Sequence, residues 1–152
     1  MKARRLRPGD GLAAAGGILL LVALFLPWYE ARPGIAGPRR LTGWEAFSVI
    51  DILLALVAVL GIAVAVAVLT SRSPVLPISL GVVGSVAGAI ATILVLVRIL
   101  DQPGPNELLD VAAGAWLGLA GALGVAAGSW WSIKDERNRG VPPVPVELRP
   151  AP

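Results

Sequence analysis

Polar side chains are almost absent from four long stretches of this chain. Residues 11–28 and 52–69 hold none apart from the Trp28 indole. Residues 75–97 hold only Ser79, Ser85 and Thr92, and residues 111–131 hold only Ser129 besides their tryptophans. A hydrocarbon core about 30 Å thick takes roughly 20 helical residues at a rise of 1.5 Å each. Each stretch therefore has the length of one bilayer crossing. The pattern predicts an all-α membrane protein, an antiparallel bundle of four transmembrane helices at about residues 10–28, 45–70, 75–100 and 107–132.

The intervening segments carry the helix breakers. Pro27, Pro33, Gly34, Gly37, Pro38 and Gly43 punctuate the first loop. Ser71, Arg72, Ser73 and Pro74 make a tight turn, and Pro103, Gly104 and Pro105 cannot lie inside a helix. Asn106 followed by Glu107 suits the N-cap of the fourth helix. Residues 1–133 thus form one transmembrane domain. The tail, 134–152, contains Pro142, Pro143, Pro145, Pro150 and Pro152 and reads as a disordered or polyproline-like cytoplasmic segment. Docking to a proline-recognising domain is the other reading of that composition.

Charge sets the orientation. With the N-terminus inside, Lys2, Arg4, Arg5, Arg7, Arg72, Lys134, Arg137, Arg139 and Arg149 are cytoplasmic, and Arg32, Arg39, Arg40 and Arg98 are outside. Cytoplasmic loops are the ones enriched in Lys and Arg, so both termini are expected in the cytoplasm of a multi-pass plasma (inner) membrane protein. The basic start and first apolar run resemble a signal peptide. Pro27, Trp28 and Tyr29 before the nominal cleavage residues Gly34 and Ala36 favour a retained helix. Trp28, Tyr29, Trp44, Trp130 and Trp131 fall at span edges, where amphipathic rings collect. Trp116 is the exception: six residues past Asp110, about 9 Å down a helix, it suits a ring turned into the bundle.

Composition narrows the chemistry. The charged fraction is 15%, against roughly 25% in an average soluble domain. The net charge of +3 comes from residues flanking spans rather than from a basic, aromatic-rich surface, so nucleic acid is not expected as a partner. The chain has no cysteine and no histidine, which removes disulfides, Cys/His zinc sites, haem ligation through those residues and His-dependent triads. No P-loop, dinucleotide fingerprint or metal-ligand helix appears, and no cofactor is expected. Two acidic residues in apolar surroundings raise intramembrane aspartyl chemistry, but Asp51 and Asp110 lie near the surface with Arg98 expected between them. The lysines, Lys2 and Lys134, are outside the spans, so a Ser-Lys dyad is absent as well. An enzyme is not expected.

Two features stand out from the apolar background. Gly114, Gly118, Gly121, Val125 and Gly128 recur at steps of four and three, as do Gly81, Gly84, Gly88 and Thr92. Small residues let membrane helices approach closely, and both series contain a GxxxG pair. They predict a seam between the third and fourth helices, with Gly81 near Gly128, Gly88 near Gly121 and Val95 near Gly114; a homodimer contact is the competing reading. Arg98 is the basic residue inside an apolar segment, and charge in lipid generally finds a partner. The antiparallel registers predict an ion-pair cluster of Arg98 with Asp51 and Asp110, with Asp101 and Glu45 at the same level. At about 16 Å from the middle of its helix Arg98 has headgroup depth. That depth suits an orienting salt bridge, or else an entry site for a proton, an ion or an anionic lipid.

The segments Leu26-Pro27-Trp28-Tyr29, Gly43-Trp44-Glu45-Ala46-Phe47-Ser48 leading to Asp51, Arg98-Ile99-Leu100-Asp101 and Gly114-Ala115-Trp116-Leu117-Gly118 resemble a group of small four-span membrane proteins of high-GC actinobacterial type. The resemblance covers the four spans and not the tail, and it implies no known activity. It implies that the Trp44-Glu45, Asp51 and Arg98 positions belong to a shared architecture. Claudin-like tetraspans also carry a tryptophan in their first outer loop, but this loop lacks a cysteine pair and is expected to be too short for a sheet. The function expected is that of a non-enzymatic structural or accessory membrane subunit. A small transporter or channel component, or a lipid-binding protein acting as an oligomer, is the alternative. The expected partners are membrane lipid and another membrane protein or further copies of the chain.

Overall fold

A computed structural model describes residues 6–34, 40–46, 49–70, 75–102 and 108–137. The expected turn at 71–74, the loop run 103–107 with its Asn106 cap, and the tail beyond 137 lie outside the described residues. The chain runs α1 (Pro8–Ala23), β1 (Pro27–Ala31), β2 (Arg40–Thr42), the single turn α2 (Gly43–Ala46), α3 (Ile50–Thr70), α4 (Val75–Leu100), β3 (Leu109–Val111) and α5 (Ala113–Arg137). It is mostly helical. Helices α3, α4 and α5 are long and apolar enough to cross a membrane, and α1 is a shorter apolar helix. At 16 residues α1 spans about 24 Å, less than a hydrocarbon core.

The strands correct the expectation of an all-α chain. Residues 27–31, assigned to the end of the first helix and its loop, form the centre of an antiparallel sheet ordered β2-β1-β3. Tyr29 faces Leu41 on one side and Val111 on the other. The first loop, expected to be too short for a sheet, supplies two of the three strands, β1 and β2. The third strand comes from the segment between α4 and α5, and its residues 109–111 are ones the span pattern assigns to the fourth helix. That helix begins at Ala113 rather than at about residue 107.

Helix α5 packs along α1 and, on another side, along α4; α3 packs on α1 and on α4. The α1/α5 contact is antiparallel and almost free of intervening side chains. A Cβ on Gly16 would stand 2.6 Å from the backbone nitrogen of Val125, and one on Gly121 2.6 Å from that of Leu20. Gly9 abuts the backbone of Ser132, and Gly128 that of Ala13. Such backbone proximity is possible only where side chains are missing.

The glycine seam therefore differs from the one read in the sequence. Gly114, Gly118, Gly121 and Gly128 turn to α1 and its extension: Gly114 meets the Pro27 carbonyl and Gly118 lies under the Trp28 ring. Gly81, Gly84 and Gly88 do face α5, but against Ile133, Ser129 and Ala126, about five residues from the expected register. The series on α4 and the series on α5 belong to two different interfaces. The small residues that α1 supplies (Gly9, Ala13, Gly16) were not singled out, although they recur at the same helical spacing.

Candidate functional site

Charged and hydrogen-bonding side chains gather at the two ends of the helices, and the sheet end holds most of them. Trp28 and Tyr29 are both fully buried, although consecutive residues of a regular strand point to opposite faces. The β1/β2 register has an irregularity between Pro27 and Tyr29, which allows both rings to turn inward. Neither ring sits in an exposed aromatic belt, as had been expected. The Trp28 indole N–H donates to the Ala23 carbonyl at 2.7 Å, a carbonyl at the end of α1 that also accepts from the Leu26 N–H. Trp116 shows the reverse: it is 55% exposed and points out of the bundle.

The Tyr29 hydroxyl donates to the main-chain carbonyl of Arg98 at 2.8 Å, tying the last turn of α4 to the central strand. Burial pushes the phenol up to about 12; the Arg98 charge pulls it down, and Asp101 adds a smaller push upward. Arg98 and Asp101 are thus both close enough to act on this hydroxyl.

The carboxylates expected around Arg98 have other partners. Asp110 pairs with Arg32 at 2.9 Å, accepting from both Nε and Nη2 on one oxygen. Strand β3 brings it there, because Asp110 faces Glu30 across the sheet with Arg32 two residues along. Glu30 in turn pairs with the directly opposed Arg40 at 3.0 Å. Two like charges side by side on adjacent strands would repel, and each is offset by an arginine.

Glu45 accepts from the Thr42 backbone N–H at 2.9 Å and from its hydroxyl at 3.0 Å. The backbone bond is the carboxylate half of a capping box on α2, and the two bonds, the backbone one foremost, hold the Glu45 carboxyl below the usual glutamate value. Asp51 is buried at the first turn of α3 and accepts from the Ile52 backbone N–H at 2.7 Å. Among the described residues, the ion pair at Asp110 is made by Arg32 and the bond at Asp51 by the Ile52 N–H, rather than by Arg98. Span periodicity placed these residues at one level, but local caps and strand pairing took the carboxylates.

At the far end, sequence reasoning missed the best-buried carboxylate. Asp10, 1% exposed, accepts a short hydrogen bond from the Ser132 hydroxyl on one oxygen. Its other oxygen accepts from the Arg7 backbone N–H at 3.1 Å. Pro8 at the helix start and an acid in the first turn are a start signal that could have placed Asp10 at a helix N-terminus. Its burial needed the tertiary contact with α5. One turn from Ser132, Ser129 is fully buried against Gly84, and its hydroxyl meets no partner among the described residues.

Among the described residues, no three acidic, cysteine or histidine side chains converge as metal ligands. The buried acids Asp10 and Asp51 begin helices at opposite ends of the molecule, too far apart to share a proton. What the arrangement does chemically is to fasten helix ends. Compared with known protein families, with curated proteins and with solved structures, the chain matches none.

Proposed function

We propose that this chain is a non-enzymatic structural or accessory subunit of the plasma (inner) membrane. In this reading α1, α3, α4 and α5 form a four-helix transmembrane bundle with both termini in the cytoplasm and the sheet outside. The basic residues flanking the spans favour that orientation. The carrying observation is the bundle interior, where glycine seams bring backbones into contact and leave little room for a passage. A transport pathway needs polar groups along its length. Between Asp51 at the sheet end and Asp10 with Ser132 at the other, the buried polar side chain among the described residues is Ser129.

With the interior closed, interaction falls to the outside. The apolar faces of α3 and α4 are available for contact within the membrane, and the ion-paired sheet for contact outside it.

The test is purification in mild detergent followed by native mass spectrometry, together with reconstitution of the pure chain into liposomes. The expected result is a defined complex with another membrane protein and liposomes that stay tight to protons and small ions. A pure chain that conducts or exchanges a solute by itself would overturn the accessory reading in favour of a transport component.

A further inference from the structure

On the sheet half of the α3/α4 contact the two helices stand apart around an apolar groove of about 260 Å³. The glycines of α4 face α5, so this stretch of the α3 contact has no glycine seam to close it. Leu54 and Ala91 form a buried floor, while Leu53, Leu56 and Ile90 are exposed walls that leave the groove open to the side.

The groove has a direction and a depth. On α4 its lining runs from Ala87, the middle of the helix, to Leu94. Arg98 follows one turn later on the same stripe, about 16 Å from the level of Ala87. Half of a hydrocarbon core is about 15 Å. The groove thus reaches from the bilayer midplane toward the headgroups, and a half-buried arginine stands in line with it at headgroup depth. One leaflet's acyl chain has that length and place.

The charges at the upper end specify the headgroup. Arg98 is held by the bond from Tyr29 to its carbonyl, and Asp101, exposed, lies three residues on. The Asp101 N–H donates to the Val97 carbonyl at 2.7 Å and so continues the last turn of α4, which places this carboxylate and Arg98 on neighbouring positions of one helical turn. Asp51 begins the facing helix at this end as well. A purely anionic headgroup would meet these carboxylates, and a choline headgroup has no N–H to donate to them. Phosphate beside arginine and ammonium beside carboxylate is the complementary pattern.

We propose that the α3/α4 groove binds one acyl chain of an ethanolamine phospholipid from the sheet-side leaflet, its phosphate on Arg98 and its ammonium on Asp101. The inference rests on the transmembrane reading above. That reading fails separately if alkaline carbonate strips the protein from membranes.

The experiment is native mass spectrometry of the full chain, delipidated and then supplied with ethanolamine, glycerol or choline phospholipids of identical acyl chains. The wild type should retain the ethanolamine lipid about tenfold more tightly than either of the others, the factor of one charge-assisted hydrogen bond. Arg98→Gln and the exposed-site change Asp101→Asn should each remove that preference. Ala87→Phe, which fills the groove, should weaken retention of all three. Each variant is compared only if its thermal unfolding stays close to wild type; Asp101→Asn, on an exposed side chain, keeps the test alive if Arg98→Gln does not fold. Equal retention of the three lipids, preference for the glycerol or choline lipid, or a groove-filling change that breaks a homodimer without touching lipid would each overturn the proposal.

Discussion

The hydroxyl of Ser132, near the end of α5, donates to the carboxylate of Asp10 in the first turn of α1, closing a contact between residues 122 positions apart. The carboxylate is buried, and its second oxygen is taken by the N–H of Arg7. Ser132→Ala leaves one oxygen of a buried acid without a donor and should cost about 1–3 kcal/mol. Asp10→Ala should cost a similar amount. The double variant should cost clearly less than the two singles together, because the groups are in contact. Denaturant titration in detergent micelles measures all three.

Glycines should divide by what their missing side chain would meet. Gly128→Ala and Gly16→Ala force a methyl into the backbone of the partner helix and should destabilise by about 1–3 kcal/mol or prevent folding. Gly121→Leu should be worse. Gly11→Ala meets nothing within 4 Å and lies in the same helix, so it should be neutral or stabilising, by up to about 1 kcal/mol of helix propensity. Thermal unfolding of the set separates seam glycines from the bystander.

Tyr29 is the chain's single tyrosine, so its ionisation can be followed by phenolate absorbance. The midpoint should fall near 12 in the folded protein and near 10 after unfolding. The folded state holds the proton more tightly. The resulting stability is therefore fully present below pH about 10 and is lost as pH rises through about 12. Its size is on the order of 2 kcal/mol. Tyr29→Phe should remove this alkaline dependence and also loosen the end of α4, which hydrogen exchange at Arg98 and its neighbours would register.

Orientation is testable because the chain has no native cysteine. Single cysteines replacing Pro33, after β1, and Asp135, near the end of α5, should react with an impermeant thiol reagent from opposite sides. Pro33→Cys should label in intact cells and Asp135→Cys only after lysis. The reverse pattern would invert the proposed topology.

Trp28 illustrates how far the sequence could be read. Its place beside a span edge was legible, and an aromatic there suits the interface. Only the sheet shows that the ring is a buried lid over Gly118, with its N–H on the end of α1. Trp116 misled in the other direction, since its depth from Asp110 assumed a helix where the chain forms β3. Arg98 was placed at the correct end of α4, but its assigned partners were not, because Asp110 belongs to a strand and Glu45 to a cap.

The long apolar helices were determined by the sequence alone. Length and hydrophobicity are local, additive properties, and roughly 20 apolar residues carry the signal without reference to anything else. Pairing was decided only in three dimensions. Helix α5 has small residues on more than one face, Gly121 and Gly128 against α1 and Ala126 and Ser129 against α4, so its sequence offers no direction by which to assign them. Strand β1 has pairing partners at 40–42 and 109–111, a relation that no local pattern contains. The burial of Asp10 likewise follows from the backbone approach of α1 to α5, which sets its carboxylate against Ser132.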